Sequence, residues 1–399
     1  MKNSDKTALV PELRFPEFRG AGDWSKQKLG DAAFFYNGRA YKQEELLEQG
    51  KYRVLRVGNF FTNGSWYYSD LELEEAKYCE KGDLLYAWSA SFGPHIWMGE
   101  KAIYHYHIWK VVEREGVDRA FLFVNLEYQT ERMKAQSANG LGLLHITKAT
   151  IENWGACFPK KLEQQKIAEC LISVDELIAV QARKVDALKN HKKGLMEQLF
   201  PLEGKTQPRL RFPEFQGAGE WEIDALGQIA DNLDNRRVPI TSTDRGAGSV
   251  PYYGASGVVD YVDGFIFDED LLCVSEDGAN LVARTYPIAF PISGKTWVNN
   301  HAHVLRFNNG CTQKLVELYL NSIKLDSFIT GMAQPKLNKA MLDSIPIPHP
   351  DIPEQERIAD CLTALDGLVT AQTQKLKILK THQEALMRQL FPSLEEVEA

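Results

Sequence analysis

The feature that most constrains this chain is an internal duplication of two separate segments. Residues 13–24, which begin Leu-Arg-Phe-Pro-Glu-Phe, recur at 210–221, and residues 163–201 recur at 354–392. The stretches between them, 24–159 and 221–350, are similar in length but share few residues. Because a repeat marks a structural unit that is used more than once, the shared segments predict one mechanical role performed twice. The divergent stretches predict recognition of two different targets.

The second duplicated segment is predicted to be a long helix in each half. Its apolar residues follow alternating steps of four and three, which is the pattern of a coiled-coil seam. Each helix ends at a Phe-Pro pair, 200–201 and 391–392, and should span about 37 residues, or roughly 55 Å. The predicted seam residues are Ile167, Leu171, Val174, Ile178, Val185 and Leu188 in the first helix and Ile358, Leu362, Leu365, Val369, Leu376 and Leu379 in the second.

The two helices are expected to pack against each other in antiparallel orientation. Such a pair would relate the two halves by an approximate twofold axis, with Gln181 and Gln372 as polar seam residues that fix the register. The alternative is that each helix is an ordinary surface helix packed on its own domain.

The divergent stretches are predicted to be two α+β units with mixed or antiparallel sheets. Short runs rich in β-branched and aromatic residues, separated by Gly, Asn and Asp, are typical of strands and turns. The predicted strands include 52–57, 84–88, 104–112, 271–274 and 303–307, and the predicted helices are 117–133 and 312–329.

Charge and composition limit the classes of protein that fit. The formal net charge is -8, whereas proteins that bind nucleic acid through their overall field are usually basic. A DNA-binding role therefore requires local basic patches, or phosphate contacts supplied by partner subunits. The six cysteines form no C-x-x-C pair, so neither a zinc ribbon nor a disulfide framework is indicated. The absence of a long apolar run or a secretory segment predicts a cytoplasmic location without a membrane partner.

Polar loops in both divergent stretches carry residue types that suit DNA. Arginine and asparagine can form bidentate contacts with guanine and adenine, and serine and backbone amides suit phosphate. Taken one at a time, loops of this kind are more often turns or solvated loops than contacts to bases. The candidates are Arg39, Lys42, Arg56, Asn59, Ser89, Ser91, His105 and His107 in the first stretch and Arg236, Arg237, Tyr253, Ser256, Asp277, Asn280, Asn300 and His301 in the second.

Two His-x-His pairs, 105–107 and 301–303, would each place two imidazoles on one face of a strand. That geometry can bind a metal ion, but no cysteine or third ligand at a useful spacing accompanies either pair. We therefore expect no metal. The histidines are predicted to face DNA at strand ends or to be satisfied in the core.

Taken together, these segments resemble the specificity subunit of type I restriction-modification systems. The resemblance lies in the paired Leu-Arg-Phe-Pro-Glu-Phe motifs, the Glu-Gln-x-x-Ile-Ala helix starts and the Leu-x-x-Gln-Leu-Phe-Pro helix ends, and it covers nearly the whole chain. Loops at 55–59, 88–93, 252–257 and 278–280 are weaker matches. The resemblance implies two target-recognition domains, separated by the antiparallel coiled coil, that each read one half-site of a split double-stranded DNA target. It also implies two methyltransferase (modification) subunits and restriction (motor-nuclease) subunits as partners.

The resemblance further implies a domain plan and three more phosphate-contact candidates. Segments 144–148 and 334–339 precede the long helices in this family, which adds Lys148, Lys336 and Asn338. One departure is that Pro353 opens the second helix where Leu162 stands in the first. The implied plan is a first recognition domain at 1–160, with its shared segment at 11–24, and a helix at 161–201, then a second recognition domain at 202–352, with its shared segment at 208–221, a helix at 353–392 and a tail at 393–399.

No catalytic site and no cofactor are expected in this chain. It has no Asn-Pro pair, which a methyltransferase acting on an exocyclic amine would need, and its two Gly-Lys-Thr triplets have Leu199 and Ala289 where a phosphate loop requires glycine. No carboxylate pair with a nearby lysine stands out at the spacing of a nuclease. Two alternatives stay open, a protein-only coiled-coil scaffold and an uncharacterised nuclease.

Overall fold

The computed structural model describes residues 9–61, 64–89, 91–138, 146–331 and 334–392. The chain divides into two units, with 1–182 and 374–399 in unit 1 and 183–373 in unit 2. Each unit contains one divergent stretch, one copy of the opening motif (13–24 or 210–221) and part of each long helix. The predicted α+β class and internal duplication are confirmed.

Unit 1 contains two four-stranded sheets and one two-stranded sheet, in the orders β2-β9-β6-β7, β4-β3-β8-β5 and β1-β10. Its strands are β1 Ser25–Lys28, β2 Ala33–Asn37, β3 Tyr52–Leu55, β4 Tyr67–Ser69, β5 Tyr78–Cys79, β6 Leu84–Ala87, β7 Gly93–Ile96, β8 Ala102–Tyr104, β9 Ile108–Glu113 and β10 Gly155–Phe158. The pair β3 and β8 is parallel, and the other pairs are antiparallel.

Unit 2 repeats this topology with different residues. Its sheets follow the orders β12-β19-β16-β17, β14-β13-β18-β15 and β11-β20, and again one pair, β13 and β18, is parallel. Its strands are β11 Glu222–Ala225, β12 Asp231–Asn232, β13 Ala247–Gly254, β14 Gly257–Val262, β15 Phe267–Asp268, β16 Leu271–Ser275, β17 Ala289–Ile292, β18 Lys295–Val298, β19 Ala302–Arg306 and β20 Pro346–His349.

Among the described residues, the helices follow the same order in both halves, except that the second half has an additional short helix, α6. They are α1 Leu29–Ala32, α2 Arg119–Ala138, α3 Lys148–Asn153 and α4 Lys161–Leu199, then α5 Leu226–Ile229, α6 Asn280–Ala283, α7 Gly310–Ser322, α8 Lys339–Asp343 and α9 Ile352–Leu390. The long helices α4 and α9 each have 39 residues. Across the described part of the chain, no helix is long and apolar enough to cross a membrane.

The central strand β6 explains how each unit is layered. Leu84 and Tyr86 face one buried cluster with α2, whereas Leu85 and Ala87 face a second cluster shared with the other four-stranded sheet. Because successive strand residues point to opposite faces, this continuous apolar run is buried on both sides. Strand β16 repeats the arrangement in unit 2.

The opening motif is fixed to both long helices in each unit. In unit 1, the Arg14 guanidinium binds both Glu163 carboxylate oxygens at 2.7 Å, and the Leu13 amide donates to the Gln389 carbonyl at 2.9 Å. In unit 2, Arg211 binds Glu354 at 2.8 and 2.6 Å. The Leu210 amide there donates to the Gln198 carbonyl at 2.9 Å. We call this pair of contacts, from the opening motif to the start of one long helix and the end of the other, the joint; both units have it.

Within each unit, the two long helices run antiparallel. In unit 1 the Gln383 amide donates to Asp175, and the C-terminal end of α9 packs with the first turns of α4 in the main core. In unit 2, Lys192 lies 2.5 Å from Asp366, at the corresponding positions. The twelve predicted seam residues are all buried or half-buried.

Two element predictions were wrong in their extent. The predicted strand 104–112 is two strands, β8 and β9, separated by a turn at 105–107 in which the Ile108 amide donates to the His105 carbonyl at 2.9 Å. The predicted helix 312–329 ends at Ser322, because Ile323 is extended and the amides of Phe328 and Ile329 bond to Leu325 instead. Past Ser322 the apolar pattern continues because Ile323 and Leu325 still pack in the core. The turn at 105–107 was missed because its exposed tip, Tyr106, is an aromatic residue that also suits a strand.

Candidate nucleic-acid interface

In unit 1, the turn between β8 and β9 organises most of the predicted DNA-binding residues. The Arg39 amide donates to the Tyr104 carbonyl, and the Tyr106 amide donates to the Arg39 carbonyl, both at 3.0 Å. Gly38 permits this approach, because a Cβ there would lie 2.3 Å from the His105 carbonyl oxygen. The turn and the loop after β2 are thus held together by backbone contacts.

Trp88 connects the loop after β6 to the same turn. Its indole Nε1 donates to the Tyr106 carbonyl at 2.7 Å, and its ring lies 4.9 Å from the His107 ring. Ser89 follows as a half-buried residue, and Ser91 is exposed. The Tyr106 side chain, at the tip of the turn, is 39% exposed.

Arg56 and Asn59 approach the turn from the end of β3. The Asn59 Oδ1 accepts from the Arg56 amide at 3.1 Å, and the Arg56 guanidinium lies 4.3 Å from the centre of the Tyr67 ring. Burial, followed by the nearby charges of His107 and Arg56, lowers the pKa of His105 to about 4. The His105 ring is therefore neutral at neutral pH and can both donate and accept a hydrogen bond.

Two predicted residues of unit 1 have partners elsewhere. Lys42 lies 3.7 Å from Glu44, and Lys148, at the start of α3, lies 3.5 Å from Glu152. Of the predicted phosphate-contact segment 144–148, residues 144 and 145 lie outside the described residues.

In unit 2, the equivalent loops also meet. The hairpin turn between β13 and β14 is held by the Ser275 hydroxyl, which donates to the Ala255 carbonyl at 2.5 Å, and the Ser256 hydroxyl donates to the Tyr286 hydroxyl at 3.1 Å. His301 Nδ1 lies 2.7 Å from Asp277 Oδ2. The backbone of Asp277 also forms an isolated bridge with Lys336.

Three predicted residues of unit 2 have their polar groups engaged inside the protein. Arg237 contacts Glu276 at 2.7 Å and Asp234 at 3.3 Å, with its side chain 12% exposed. The Asn280 amide accepts from the Thr285 and Tyr286 backbone and donates to the Tyr286 carbonyl. Asn338 caps α8 by accepting from the Met341 amide at 3.0 Å. These contacts give the three side chains a role in holding the loops.

The other predicted residues of unit 2 are more accessible. Arg236 pairs with Glu269 at 3.0 Å, and Lys336 pairs with Glu276 at 3.2 Å, each with about half of its side chain exposed. Tyr253 is half-buried with its ring against Phe290, and Asn300 is exposed.

The prediction that each His-x-His pair lies on one strand face was wrong. His105 and His107 lie in the turn at 105–107, and His301 precedes β19. His303, inside β19, is 1% exposed, with Nδ1 2.6 Å from Asp234 Oδ2 and Nε2 2.7 Å from the Leu337 carbonyl. The prediction assumed that residues two apart lie on one strand. The same residue types occur at strand ends and in turns, so the sequence did not show where each strand stops.

Sequence reasoning also missed two exposed aromatic side chains at these loops. Tyr106 lies between the two histidines of its turn, and Tyr286, 45% exposed, contacts the hairpin through Ser256. The sequence could have indicated them, since each is an aromatic residue close to polar residues that were predicted to bind DNA. Both are suited to apolar contact with a thymine methyl group or a sugar.

Most basic side chains in these loops pair with carboxylates. Arg39 contacts Glu45 at 2.6 Å, as Arg236, Arg237 and Lys336 contact their own acidic partners. Such pairs orient the cations but reduce the local positive field. The loops therefore suit contacts to base edges better than strong attraction to phosphates.

A family model described as the type I restriction modification DNA specificity domain matches this chain twice, at residues 21–190 and 218–381. Each match contains one divergent stretch and most of the long helix that follows it. The duplication seen in the sequence is thus also a duplication of this domain.

Three known proteins are similar to parts or all of the chain. A putative type I restriction enzyme specificity subunit from Haemophilus influenzae is 34% identical over 151 residues, which are 38% of each protein. The type I restriction enzyme MjaVIII specificity subunit from Methanocaldococcus jannaschii is 24% identical over 95% of this chain and 93% of its own length. The crystal structure of a type I restriction-modification S subunit from M. genitalium has a TM-score of 0.63 at 16% identity, covering 97% of this chain and 100% of that one.

Proposed function

Since the chain belongs to the family of type I restriction-modification DNA specificity domains, we propose that it is the DNA sequence-recognition subunit of a type I restriction-modification complex. Each variable domain reads one half-site of a bipartite double-stranded target. The complex acts in the cytoplasm, where its DNA is.

The observation that carries this proposal is the pairing of a repeated frame with two different loop sets. Both units share one topology and one joint between the opening motif and the long helices. The loops at the same positions in that topology differ in nearly every residue. A protein with two recognition domains of one topology and different loop residues is suited to a DNA target with two unlike parts.

We assign base-edge contacts to side chains that reach the two loop clusters and are accessible. In the first domain these are Arg39, Arg56, Asn59, Ser89, Ser91, His105 and His107, and in the second they are Arg236, Tyr253, Ser256, Asp277, Asn300 and His301. Lys42, Lys148 and Lys336 are assigned to the DNA backbone. Arg237, Asn280 and Asn338 are left out, because their polar groups bind the protein itself.

The domain plan follows the duplication. The recognition domains occupy 1–160 and 202–352, the coiled-coil helices 161–201 and 353–392, and the tail 393–399. The seam residues of the helices set the nonspecific spacer, for which one turn of B-DNA, roughly 34 Å, is the natural unit.

Catalysis belongs to the partners in this proposal. Two methyltransferase subunits would supply modification, and restriction subunits would supply translocation and cleavage. The paired state of the basic residues in the loops supports a shared interface, in which the partners contribute much of the phosphate contact.

Methylation-sensitive sequencing of DNA from cells that carry this chain with its modification partner tests the proposal. The expected result is one split methylated motif. Replacing 221–350 by the corresponding stretch of another family member should change one half of the motif and leave the other half unchanged. A single uninterrupted motif, or a change in both halves, would contradict the assignment of one half-site to each domain.

A further inference from the structure

We propose that Glu222, Asp224 and His349 form a binding site for a divalent transition-metal ion of the zinc class. The three side chains lie on the two-stranded sheet β11-β20 in unit 2, and none of them is among the residues assigned to DNA. One donor atom of each lies within 4.8 Å of the others.

The sheet register places the three side chains on one face. Glu222 is directly opposite His349, and Asp224 is two residues further along the same strand. Residues two apart on a strand point to the same side, and the 3.0 Å distance between His349 Nε2 and Asp224 Oδ2 confirms that the imidazole also points there. In a tetrahedral zinc site, neighbouring donors are roughly 3.3 Å apart, given bond lengths near 2.0 to 2.1 Å. Small side-chain rotations therefore bring all three donors to bonding distance.

The strand that carries His349 is stiff. Pro346, Pro348 and Pro350 alternate along it with Ile347 and His349. Each proline fixes its φ angle near -65°. The backbone around His349 therefore loses little conformational entropy when a ligand binds. Stiffness of this kind favours a site that is formed before the ion arrives.

The surroundings leave room for further ligands. An open cavity of about 240 Å³ borders Glu222 and His349 and is also lined by Asp351 and Gln355. Arg211 lines it too, but its guanidinium is engaged by both oxygens of Glu354 and by the carbonyls of the opening motif. Two carboxylates with one imidazole, plus water, are a donor set that zinc, cobalt and manganese accept, whereas magnesium and calcium prefer oxygen alone.

A second cluster with the same residue types, Asp234, Glu276 and His303, differs in its contacts. Both ring nitrogens of His303 are already used, by Asp234 and by the Leu337 carbonyl. Arg237 contacts both carboxylates and supplies the positive charge there. That cluster is a complete ion-pair network, so the proposed ion is assigned to the β11-β20 sheet alone.

Unit 1 contains a natural comparison. Its sheet β1-β10 has the same register, with Ser25 opposite Phe158 where Glu222 is opposite His349. Gln27 takes the position of Asp224. The same backbone arrangement is thus present twice, and only the copy in unit 2 has the three metal donors. The residues of unit 1 at the equivalent positions are therefore substitutions that this sheet accommodates.

The test is titration of the full-length, tag-free, metal-free chain with Zn²⁺ by calorimetry, and with Co²⁺ by visible absorption. We expect one saturable site whose Co²⁺ spectrum lacks thiolate charge-transfer bands, which separates it from binding at cysteine. His349→Phe and Asp224→Gln, taken from the equivalent positions, should weaken Zn²⁺ binding at least tenfold, as should Glu222→Gln at an exposed position. Mg²⁺ should not compete.

A matched control is His301→Ala, which removes another exposed histidine paired with an aspartate. It should leave Zn²⁺ binding unchanged, and thermal melting in EDTA should show that all variants fold. Binding that persists in Glu222→Gln and His349→Phe, or no saturable binding in the parent chain, would overturn the proposal. Because the readout is binding of the metal alone, neither result depends on the function proposed above.

Discussion

Arg14 illustrates how one side chain fixes a frame. Its guanidinium forms a bidentate pair with Glu163, and the side chains are 7% and 1% exposed. A buried ion pair adds little over an apolar pair, but removal of one partner leaves a buried charge without compensation. The value of this contact therefore lies in joining the opening motif to the start of α4 at one defined place.

Arg14→Met should lower the free energy of unfolding of unit 1 by about 3–5 kcal/mol, because the Glu163 carboxylate would remain buried without a positively charged partner. The measurement is urea unfolding followed by tryptophan fluorescence, since Trp24 lies beside this pair. Arg388→Met, at a pair with Glu384 on the exposed surface of α9, should cost less than about 0.5 kcal/mol. Equal losses in the two variants would show that Arg14 does not hold the joint.

Glu127 provides a dependence of stability on pH. Burial, together with the nearby charges of Asp175 and Glu131, raises the pKa of Glu127 to about 7. The folded protein then holds a proton that the unfolded chain releases near pH 4.5, so this group makes stability fall as pH rises from about 4.5 to 7. Glu127→Gln should remove that decline, with a gain of up to about 3 kcal/mol at pH 8. Urea midpoints at pH 5 and pH 8 test this, and an unchanged pH slope would contradict it.

At the scale of elements, the turn between β8 and β9 depends on close backbone approach at Gly38. Gly38→Ala would place a methyl group 2.3 Å from the His105 carbonyl oxygen, so the turn must shift. Methylation by the assembled complex should then fall at least tenfold or become insensitive to one half of the motif, since a displacement of about 1 Å at a site can cost a hundredfold. Gly20→Ala, where a methyl group meets nothing within 4 Å, should retain full activity with the same motif.

The elements also show what a single sequence can predict. The long helices were found because their apolar period extends over many turns, and the strands of the central sheet because both their faces are buried. The turn at 105–107 was missed because aromatic and histidine residues suit strands and turns equally. The internal bonding of Asn280 could not be predicted, since its partners at 285 and 286 adopt their positions only in the folded loop.

At the scale of the whole molecule, the long helices are predicted to determine the spacing of the two half-sites. Inserting one heptad into α4 and the matching heptad into α9 should preserve the seam and alter the length of the unspecified spacer, while both half-sites stay the same. Sequencing of the methylated motif measures both quantities at once. An insertion of four residues in one helix alone disrupts the seam and serves as the control, for which loss of methylation is expected. Altered bases within the half-sites would contradict this role.

The joint that appears once in each unit has a consequence for chain connectivity. In unit 2, Leu210 follows α4 through a short connection and bonds to Gln198, whereas in unit 1 Leu13 makes the same bond to Gln389, near the other end of the chain. In each unit, therefore, an opening motif is bonded to the last turns of a long helix, α9 in unit 1 and α4 in unit 2. A circular permutant that begins between 202 and 207 and joins 392 to 9 through a short linker would therefore keep both of these bonds, and tandem fusion of one ancestral half would account for their repetition.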